Sequence, residues 1–431
     1  MTTSALLIVL LFVLLAGGVW IAITLGIVAW AGVAFFSSTR PDINLVTSYW
    51  NTYESLSLAS LPMFIWMGEI LYRTRLAEQM FAGLAPWLDR LPGRLLHVNV
   101  LGCGIFGAVS GSSAATCATI AKIALPELSR RGYDEKMSLG ALCGASTLGL
   151  LIPPSIAMIV YAVAADVSII RMFIAGILPG AMLLCLFSGY IVIWALLNPH
   201  KTPKASLTMS LGQRIKASGN LIPVLLLIAF VFSAMVSGFA TANEASAFGV
   251  LGALCIAGFG GSLSRKSFVE SLSGAVRMSC MIMFILGAAS FLTVAMGFTG
   301  IPIALSKWVV SLELSPYALI AALTVVYLVM GCALDGVSMI VLTTAVVLPM
   351  VQAAGFDPIW FGVYIIIMIE LSQITPPVGF NLFVLQGMTG QRIMTVARAS
   401  LPFFVVMIVA TILLVAYPSI ATWLPQAIMG R

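Results

Sequence analysis

The chain has 431 residues, of which 61% are hydrophobic and 8% are charged. Soluble domains carry about 25% charged residues, so this composition excludes a soluble protein and indicates an integral membrane protein with many spans. The net charge of +6 does not indicate nucleic-acid binding, because the basic residues lie in short loops between apolar segments, where they set the membrane orientation.

Apolar stretches of about 20 residues recur along the chain and predict transmembrane helices. The first stretch, residues 5–36, predicts one long, tilted helix, because it is too long for a signal-peptide core and has no basic leader. The amphipathic segments 49–58 and 262–277 are predicted to lie along the membrane interface as arms. Further crossings are predicted at residues 59–75, 137–162, 171–197, 217–237, 241–259, 278–298, 358–386 and 393–425.

Two apolar stretches, residues 95–126 and 317–350, have a polar or Gly-rich break near the middle. Each break predicts a re-entrant hairpin of two half-length helices, because irregular backbone at membrane depth must be covered by protein or line a watery cavity. The break in the first stretch contains Ser112, and the break in the second contains Asp335.

A shift of 223 residues superposes the two halves of the chain. It places Pro126 on Pro349, the Pro153-Pro154 pair on Pro376-Pro377, and one predicted hairpin on the other. Several proline matches in one ungapped register indicate an internal repeat. Repeats with broken helices are typical of secondary transporters, whose binding sites lie near the membrane midplane.

The loop charges predict that the repeat is inverted. The loop after the first hairpin carries Arg130, Arg131 and Lys136, whereas its counterpart carries only Asp357. Since basic loops favour the cytoplasm, the two loops should lie on opposite sides of the membrane. Counting the crossings then places the N-terminus in the cytoplasm and the C-terminus outside. The predicted fold is an all-α polytopic membrane protein with an inverted repeat, two re-entrant hairpins and two broken helices.

This arrangement predicts five parts of the chain. Residues 1–94 form scaffold and arm elements, and residues 95–170 form the first hairpin and broken helix of a transport domain. The next parts are scaffold, cytoplasmic linker and arm elements at 171–300, the second hairpin and broken helix at 301–392, and a C-terminal scaffold helix at 393–431.

The proline pairs and the serine-rich break each allow two interpretations. A single mid-span proline would indicate a kink, but adjacent prolines repeated in both halves favour an unwound segment whose free carbonyl groups suit Na⁺. The serines from Ser110 to Ser113 either bond back to their own helix and fill small gaps, or form a hairpin tip that meets an ion or substrate.

Four polar side chains at membrane depth also leave alternatives open. Asp335 is a Na⁺ ligand, a proton carrier or a helix cap, and Glu244 is more consistent with a cap than with transport. Glu370 precedes the second break, where it either supports the unwound loop or neighbours an ion site. Asn381 contacts the substrate or forms a helix-interface hydrogen bond.

Six motifs together resemble the large membrane subunit of tripartite ATP-independent periplasmic (TRAP) transporters: GAVSGSSAAT, GYD, LGLLIPPSIAMIVYA, IAGILPG, ATANEASAFG and ITPPVGFNLFV. The resemblance extends over nearly the whole chain. It implies an ion-transporter-superfamily elevator in the bacterial inner membrane that uses a Na⁺ gradient to import an organic acid, commonly a C4-dicarboxylate or sialic acid. It also implies a small four-helix membrane subunit and a periplasmic substrate-binding protein as partners. No cofactor and no enzymatic activity are expected.

The resemblance further implies three groups of site residues, matched by position. The first Na⁺ site would use Ser110, Ser112, Gly149, Ile152 and Pro154, largely through carbonyl groups. The second would use Ala333, Asp335, Ser372, Thr375 and Pro377, and the substrate would contact Ser113, Ser155, Ser338 and Asn381.

Two departures from the family pattern are present. Asn243 stands where many members have Thr, and the second tip reads Asp-Gly-Val-Ser at 335–338, where many members have Asp-Thr-Thr-Ala. The change at the tip is expected to bear on the substrate, because the tip would contact it. The alternative function is a Na⁺/carboxylate symporter of similar fold that needs no binding protein. An intramembrane protease and an ion channel fit the sequence less well, because a GxSxG motif is absent and paired hairpins suit alternating access.

Overall fold

The structure is a computed structural model that describes residues 2–74, 76–203, 210–219, 221–300, 315–331, 334–376 and 379–430. These residues form helices joined by short turns, and no strand occurs among them. Up to residue 197 the helices are α1 Thr2–Ala16, α2 Ile21–Phe36, α3 Pro41–Glu54, α4 Leu56–Tyr72, α5 Leu76–Leu88, α6 Leu95–Ser110, α7 Ser113–Arg130, α8 Glu135–Ser146, α9 Leu148–Leu151, α10 Ile156–Ala164 and α11 Ile169–Leu197.

After a short 3₁₀ turn, Pro199–Lys201, the second half repeats this pattern of short and long helices. Within the described part of the chain, five helices are long and apolar enough to cross a membrane alone, and counting each bent pair as one span raises the number to eight. The remaining helices are α12 Leu211–Ser218, α13 Ile222–Val236, α14 Ala242–Phe259, α15 Arg265–Thr299, α16 Pro316–Gly331, α17 Gly336–Ala353, α18 Pro358–Gln373, α19 Phe380–Thr389, α20 Ile393–Ala416 and α21 Ser419–Met429.

The prediction of a single N-terminal helix over residues 5–36 is wrong. The chain turns after α1, where Gly18 has a φ of 73° and the N–H of Val19 donates to the carbonyl oxygen of Leu14. α2 then runs back along α1, since a Cβ atom built on Gly32 would lie 3.7 Å from Leu7 Cδ1. Glycine is the residue that adopts a positive φ at little cost, so it permits this turn. The prediction of a cytoplasmic N-terminus counted residues 5–36 as a single crossing, so the argument for that orientation no longer holds.

Both predicted hairpins are present. In the first, α6 ends at Gly111, whose φ of 59° reverses the chain into α7. In the second, α16 and α17 pack against each other on either side of a short break at residues 332–335. Residues 332 and 333 lie outside the described part of the chain. Each hairpin therefore brings a helix end and a helix start to the same depth.

The broken helices also follow the prediction. α8 and α9 are bent by 43° relative to α10, and the intervening residues include Pro153-Pro154. α18 ends at Gln373 and α19 begins at Phe380. The interfacial arms take two forms: α3 is set at 60° to α4, whereas the arm at 265–277 continues without a break into the span of α15.

The long helix α11 shows that the repeats are inverted. Lys201, just beyond its C-terminal end, pairs at 3.4 Å with Asp134, which caps α8. Arg171, at its N-terminal end, lines the same cavity as Asp357, which caps α18. A helix of 29 residues is about 44 Å long. The two equivalent caps therefore lie at opposite ends of the molecule.

The two halves are interlocked through their hairpins. α10 of the first repeat packs on α17 of the second, and α19 of the second packs on α7 of the first. α11 and α20 also lie against the elements that carry these breaks, although their residues were assigned to the scaffold. The division into a fixed scaffold and a moving domain concerns motion, and it stays a prediction. A further set of contacts joins α2 to α15, α4 to α14 and α4 to α15.

Candidate functional site

The tip of the first hairpin is a compact group of hydroxyl and carbonyl oxygens. Ser112 caps α7, since its hydroxyl accepts a hydrogen bond from the N–H of Ala115. The Ser110 hydroxyl lies 2.8 Å from the Thr116 hydroxyl and donates to the Ser112 carbonyl oxygen at 3.2 Å. Gly111 supplies the turn that holds these groups together. Oxygen atoms of this kind are hard ligands, which suit Na⁺.

The helix before the first break closes over this tip. A Cβ atom built on Gly149 would lie 3.0 Å from Thr116 Oγ1 and 3.2 Å from the Ser112 carbonyl oxygen. A Cβ atom on Gly107 would lie 2.4 Å from the Cα of Gly149, so α6 and α9 touch through their backbones. The absence of both side chains is what allows this approach. The structure thus brings together Ser110, Ser112 and Gly149 of the first predicted Na⁺ site.

The other two members of that site lie in the break itself. Ile152 points its side chain between α6 and α11, where Cβ atoms built on Gly104 and Gly180 would lie 3.2 and 3.0 Å from it. Only its main chain is then left for an ion. Pro154 is buried within the break, and the next residue, Ser155, donates its hydroxyl to the Leu150 carbonyl oxygen. The substrate contact of Ser155 stays a prediction, and in this structure its hydroxyl bonds across the break.

A hydrogen bond joins the second broken helix to the first hairpin. The Asn381 side-chain amide donates to Ser113 Oγ at 2.7 Å and to the carbonyl oxygen of Cys143 at 3.5 Å. Both Ser113 and Asn381 are buried, and Asn381 Oδ1 has no hydrogen-bond partner among the described residues. A buried acceptor without a partner is destabilising, which makes it a ready contact for a ligand. Two of the four predicted substrate residues are thus in direct contact.

The second tip is organised around a helix cap. Asp335 Oδ2 accepts hydrogen bonds from the N–H groups of Val337 at 3.1 Å and Ser338 at 3.3 Å. The Ser338 hydroxyl donates to the other carboxylate oxygen. A carboxylate at a helix start is favoured by the exposed N–H groups and the helix dipole. This geometry is the capping interpretation of Asp335, and it also engages the hydroxyl of Ser338.

The rest of the second predicted Na⁺ site lies at the end of α18. The hydroxyls of Ser372 and Thr375 each donate at 2.6 Å to a carbonyl oxygen of their own helix. A Cβ atom built on Gly331 would lie 2.3 Å from Ser372 Oγ, so the end of α16 presses against this turn. Ala333 and Pro377 lie outside the described residues.

Glu244 has a structural role at the start of α14. Its carboxylate accepts a hydrogen bond at 2.8 Å from the N–H of Thr241, whose hydroxyl in turn accepts one from the N–H of Glu244. The adjacent Asn243 donates at 2.7 Å to the carbonyl oxygen of Leu56, at the start of α4. The ATANEASAFG motif thus combines a capping box with a clamp between two helices.

Sequence reasoning missed two contributors to the site. Thr116 was quoted within the first motif but was given no role, although its spacing of six residues from Ser110 spans the turn between α6 and α7. Cys143 contributes a main-chain carbonyl, for which the side-chain sequence carries no signal. Across the described residues, no group of three or more His, Cys, Asp or Glu side chains is arranged to hold a metal ion.

Comparison with known proteins agrees with this architecture. Residues 8–420 match the family described as "Tripartite ATP-independent periplasmic transporter, DctM component". The chain is 32% identical over 386 residues to the C4-dicarboxylate TRAP transporter large permease protein DctM of Pseudomonas aeruginosa, and the match covers 89% of each chain. It is 30% identical to the ectoine TRAP transporter large permease protein TeaC of Halomonas elongata, over 85% of this chain and 86% of that one.

A solved structure shows the same fold at low sequence identity. The YdaH transporter of Alcanivorax borkumensis superposes with a TM-score of 0.63 at 13% identity, and the match covers 88% of this chain and 89% of that one. The resemblance drawn from the sequence motifs is confirmed, and the chain belongs to the DctM family, the large permease component of tripartite ATP-independent periplasmic transporters.

Proposed function

We propose that this chain performs Na⁺-coupled uptake of an organic acid anion by an elevator mechanism in the bacterial inner membrane. The observation that carries this proposal is the contact between Asn381 and Ser113, where the second broken helix meets the first hairpin tip. The unpartnered Asn381 Oδ1 and the hydroxyl groups beside it form a polar centre inside an otherwise apolar protein. In inverted-repeat transporters, such a midplane centre binds the substrate.

The coupling ions would bind on either side of this centre. Ser110, Ser112 and Gly149 hold oxygen atoms at the first tip, and Asp335, Ser372 and Thr375 do so at the second. The groups described above include no basic side chain. The negative charge of the substrate would therefore be balanced by the bound cations and by helix N-termini. Movement of the hairpins together across the membrane would expose the centre to each side in turn.

The relatives differ in the substrates for which they are named. One is named for C4-dicarboxylates, another for ectoine and a third for isethionate. We favour a C4-dicarboxylate as the first substrate to test, with sialic acid as the other class expected from the motif resemblance. The altered second tip, with Gly336 and Val337, is where a different preference would arise.

The partners would be a small four-helix membrane subunit and a periplasmic substrate-binding protein. The basic loop at 127–136 anchors one side as cytoplasmic. Counted from there, with α1 and α2 as two crossings, the N-terminus would lie in the periplasm together with the C-terminus. Gln391 donates at 2.9 Å to Glu135, which supports a common cytoplasmic position for the turn after α19 and the start of α8.

The test is uptake by a reconstituted system. The chain and its small subunit would be placed in proteoliposomes, and labelled succinate would be supplied with the binding protein under an inward Na⁺ gradient. We expect uptake to require both the gradient and the binding protein. Transport of succinate by the chain alone would favour the binding-protein-independent symporter, and uptake unaffected by Na⁺ would contradict the proposal.

A further inference from the structure

Glu370 is a buried acid that neither candidate ion site uses. It lies in the last turn of α18, and its side chain is 0% exposed. Neither carboxylate oxygen has a hydrogen-bond partner of good geometry among the described residues. An acid at membrane depth is expensive and is a functional candidate. The question is which part of the molecule it faces.

The carboxyl group faces the opposite repeat. α18 packs against α9, and the main-chain N–H groups of Leu150 and Leu151 in α9 lie near the Glu370 carboxyl group without forming a hydrogen bond to it. These residues directly follow Gly149, whose backbone closes over the first hairpin tip. Glu370 therefore lies beside the first break, although in the chain it precedes the second.

The same turn of α18 also contacts the second hairpin. A Cβ atom built on Gly336, at the start of α17, would lie 2.6 Å from Ile369 Cγ2. Ser372 lies similarly close to Gly331, at the end of α16, where a side chain on the glycine would also clash. Thus one helical turn touches the second hairpin through Ile369 and Ser372, and through Glu370 it lies beside the residues of α9 that follow Gly149. A shift of this turn would be passed on to the helices it touches, because closely packed protein interiors compress little.

We propose that Glu370 is a positioning residue that couples the two Na⁺ sites. Its carboxyl group orients the backbone of α9 and so fixes how Gly149 meets the first tip. Na⁺ at the second site would hold the end of α18 in place, and this would favour binding at the first site. Since coupling between two binding sites is reciprocal, each ion would raise the affinity of the other. This inference rests on the proposed Na⁺-coupled function.

The experiment measures the Na⁺ dependence of uptake by the complete complex, with succinate and the binding protein at saturation. Glu370→Gln keeps the side-chain shape but replaces the carboxyl group with an amide, and Glu370→Asp withdraws the carboxyl group by one methylene. Tyr364→Phe is the matched control on α18, because it removes only the hydroxyl that contacts Thr324 at 2.9 Å.

We expect the wild type to show a Hill coefficient for Na⁺ above 1. Both Glu370 variants should lower it towards 1 and raise the half-saturating Na⁺ concentration about tenfold. The maximal rate and the succinate KM at saturating Na⁺ should change less than twofold. Tyr364→Phe should behave as wild type.

Two outcomes would overturn this inference without touching the proposed function. One is a Hill coefficient unchanged in both Glu370 variants, with only the maximal rate lowered, because that pattern reflects a purely structural role. The other is a wild-type Hill coefficient of 1 in a Na⁺-dependent complex. Wild-type uptake that is indifferent to Na⁺ would instead contradict the proposed function itself, together with the inference built on it.

Discussion

Replacing Gly107 with Ala should separate the first hairpin from the helix that covers its tip. The new Cβ atom would lie 2.4 Å from the Cα of Gly149, whereas ordinary van der Waals contact begins near 3.4 Å. The obstructing atom belongs to the backbone, so α6 and α9 must move apart by roughly 1 Å. That shift would withdraw Gly149 from the Ser112 carbonyl oxygen and from the Thr116 hydroxyl.

The magnitude follows from the overpacking. Inserting a methyl group into a close-packed interior typically costs about 1–3 kcal/mol. If this strain is released when the first ion site opens, Na⁺ affinity falls roughly 5- to 150-fold. We therefore expect the half-saturating Na⁺ concentration for uptake to rise by at least about fivefold.

The assay is Na⁺-dependent uptake of labelled substrate, with thermal unfolding of the purified complex measured in parallel. Gly102→Ala is the matched control, because Gly102 lies on the same helix and a Cβ atom there meets nothing within 4 Å. Both variants gain the same helix propensity, so their difference isolates the contact with α9. A Gly107→Ala complex with wild-type Na⁺ dependence would refute the placement of the ion site between these two helices.

Three further predictions address the substrate centre, the second tip and the topology. Asn381→Ala removes the hydrogen bond to Ser113 and the buried acceptor, so the substrate KM measured by uptake should rise about tenfold while the half-saturating Na⁺ concentration changes little; an unchanged KM would remove Asn381 from the substrate site. Asp335→Ala removes a helix cap and should destabilise the complex by about 1 kcal/mol in thermal unfolding, whereas Asp335→Asn retains a capping oxygen and should cost less; equal losses would argue against capping. Cysteines placed at Thr3 and Ser38, at the same end of the α1–α2 hairpin, should react with an impermeant thiol reagent from the same side, and labelling from opposite sides would restore the single crossing.

The repeat made the core of this fold predictable from the sequence. The shift of 223 residues placed two proline pairs and two polar breaks in register, and the hairpins and broken helices lie where that register requires. Capping was also accessible, because Glu244 and Asp335 stand at helix starts and a carboxylate is favoured there. The breaks and the caps could be predicted because each is formed by residues that are close together in the sequence.

The N-terminal turn was missed because hydropathy does not register it. The Gly17-Gly18 pair lies inside a continuous apolar run, and glycine barely changes the mean hydropathy of such a run. The turn depends on the backbone conformation of Gly18, and a hairpin of two short helices has the same composition as one long helix. Loop charge could not correct the error, because residues 16–20 contain no charged side chain.

The orientation of Glu370 was out of reach for a different reason. The sequence places it before the second break, and the neighbouring residues in the chain suggest a role there. Its contact with Leu150 and Leu151 joins positions 220 and 219 residues apart, and it depends on how the repeats pack. The same applies to the Cys143 carbonyl oxygen, which has no side-chain signature at all.

The crossed packing of the hairpins has a consequence for how such a chain can arise. α10 is covered by the second hairpin and α19 by the first, so each broken helix is enclosed only with help from the other repeat. A single repeat would leave the second half of its broken helix without that cover, so its break would be incompletely enclosed, which a bilayer does not tolerate. Two identical copies inserted in opposite orientations would cover each other in the same crossed manner. An antiparallel dimer of one gene product is thus the simplest ancestor that could already have enclosed a site.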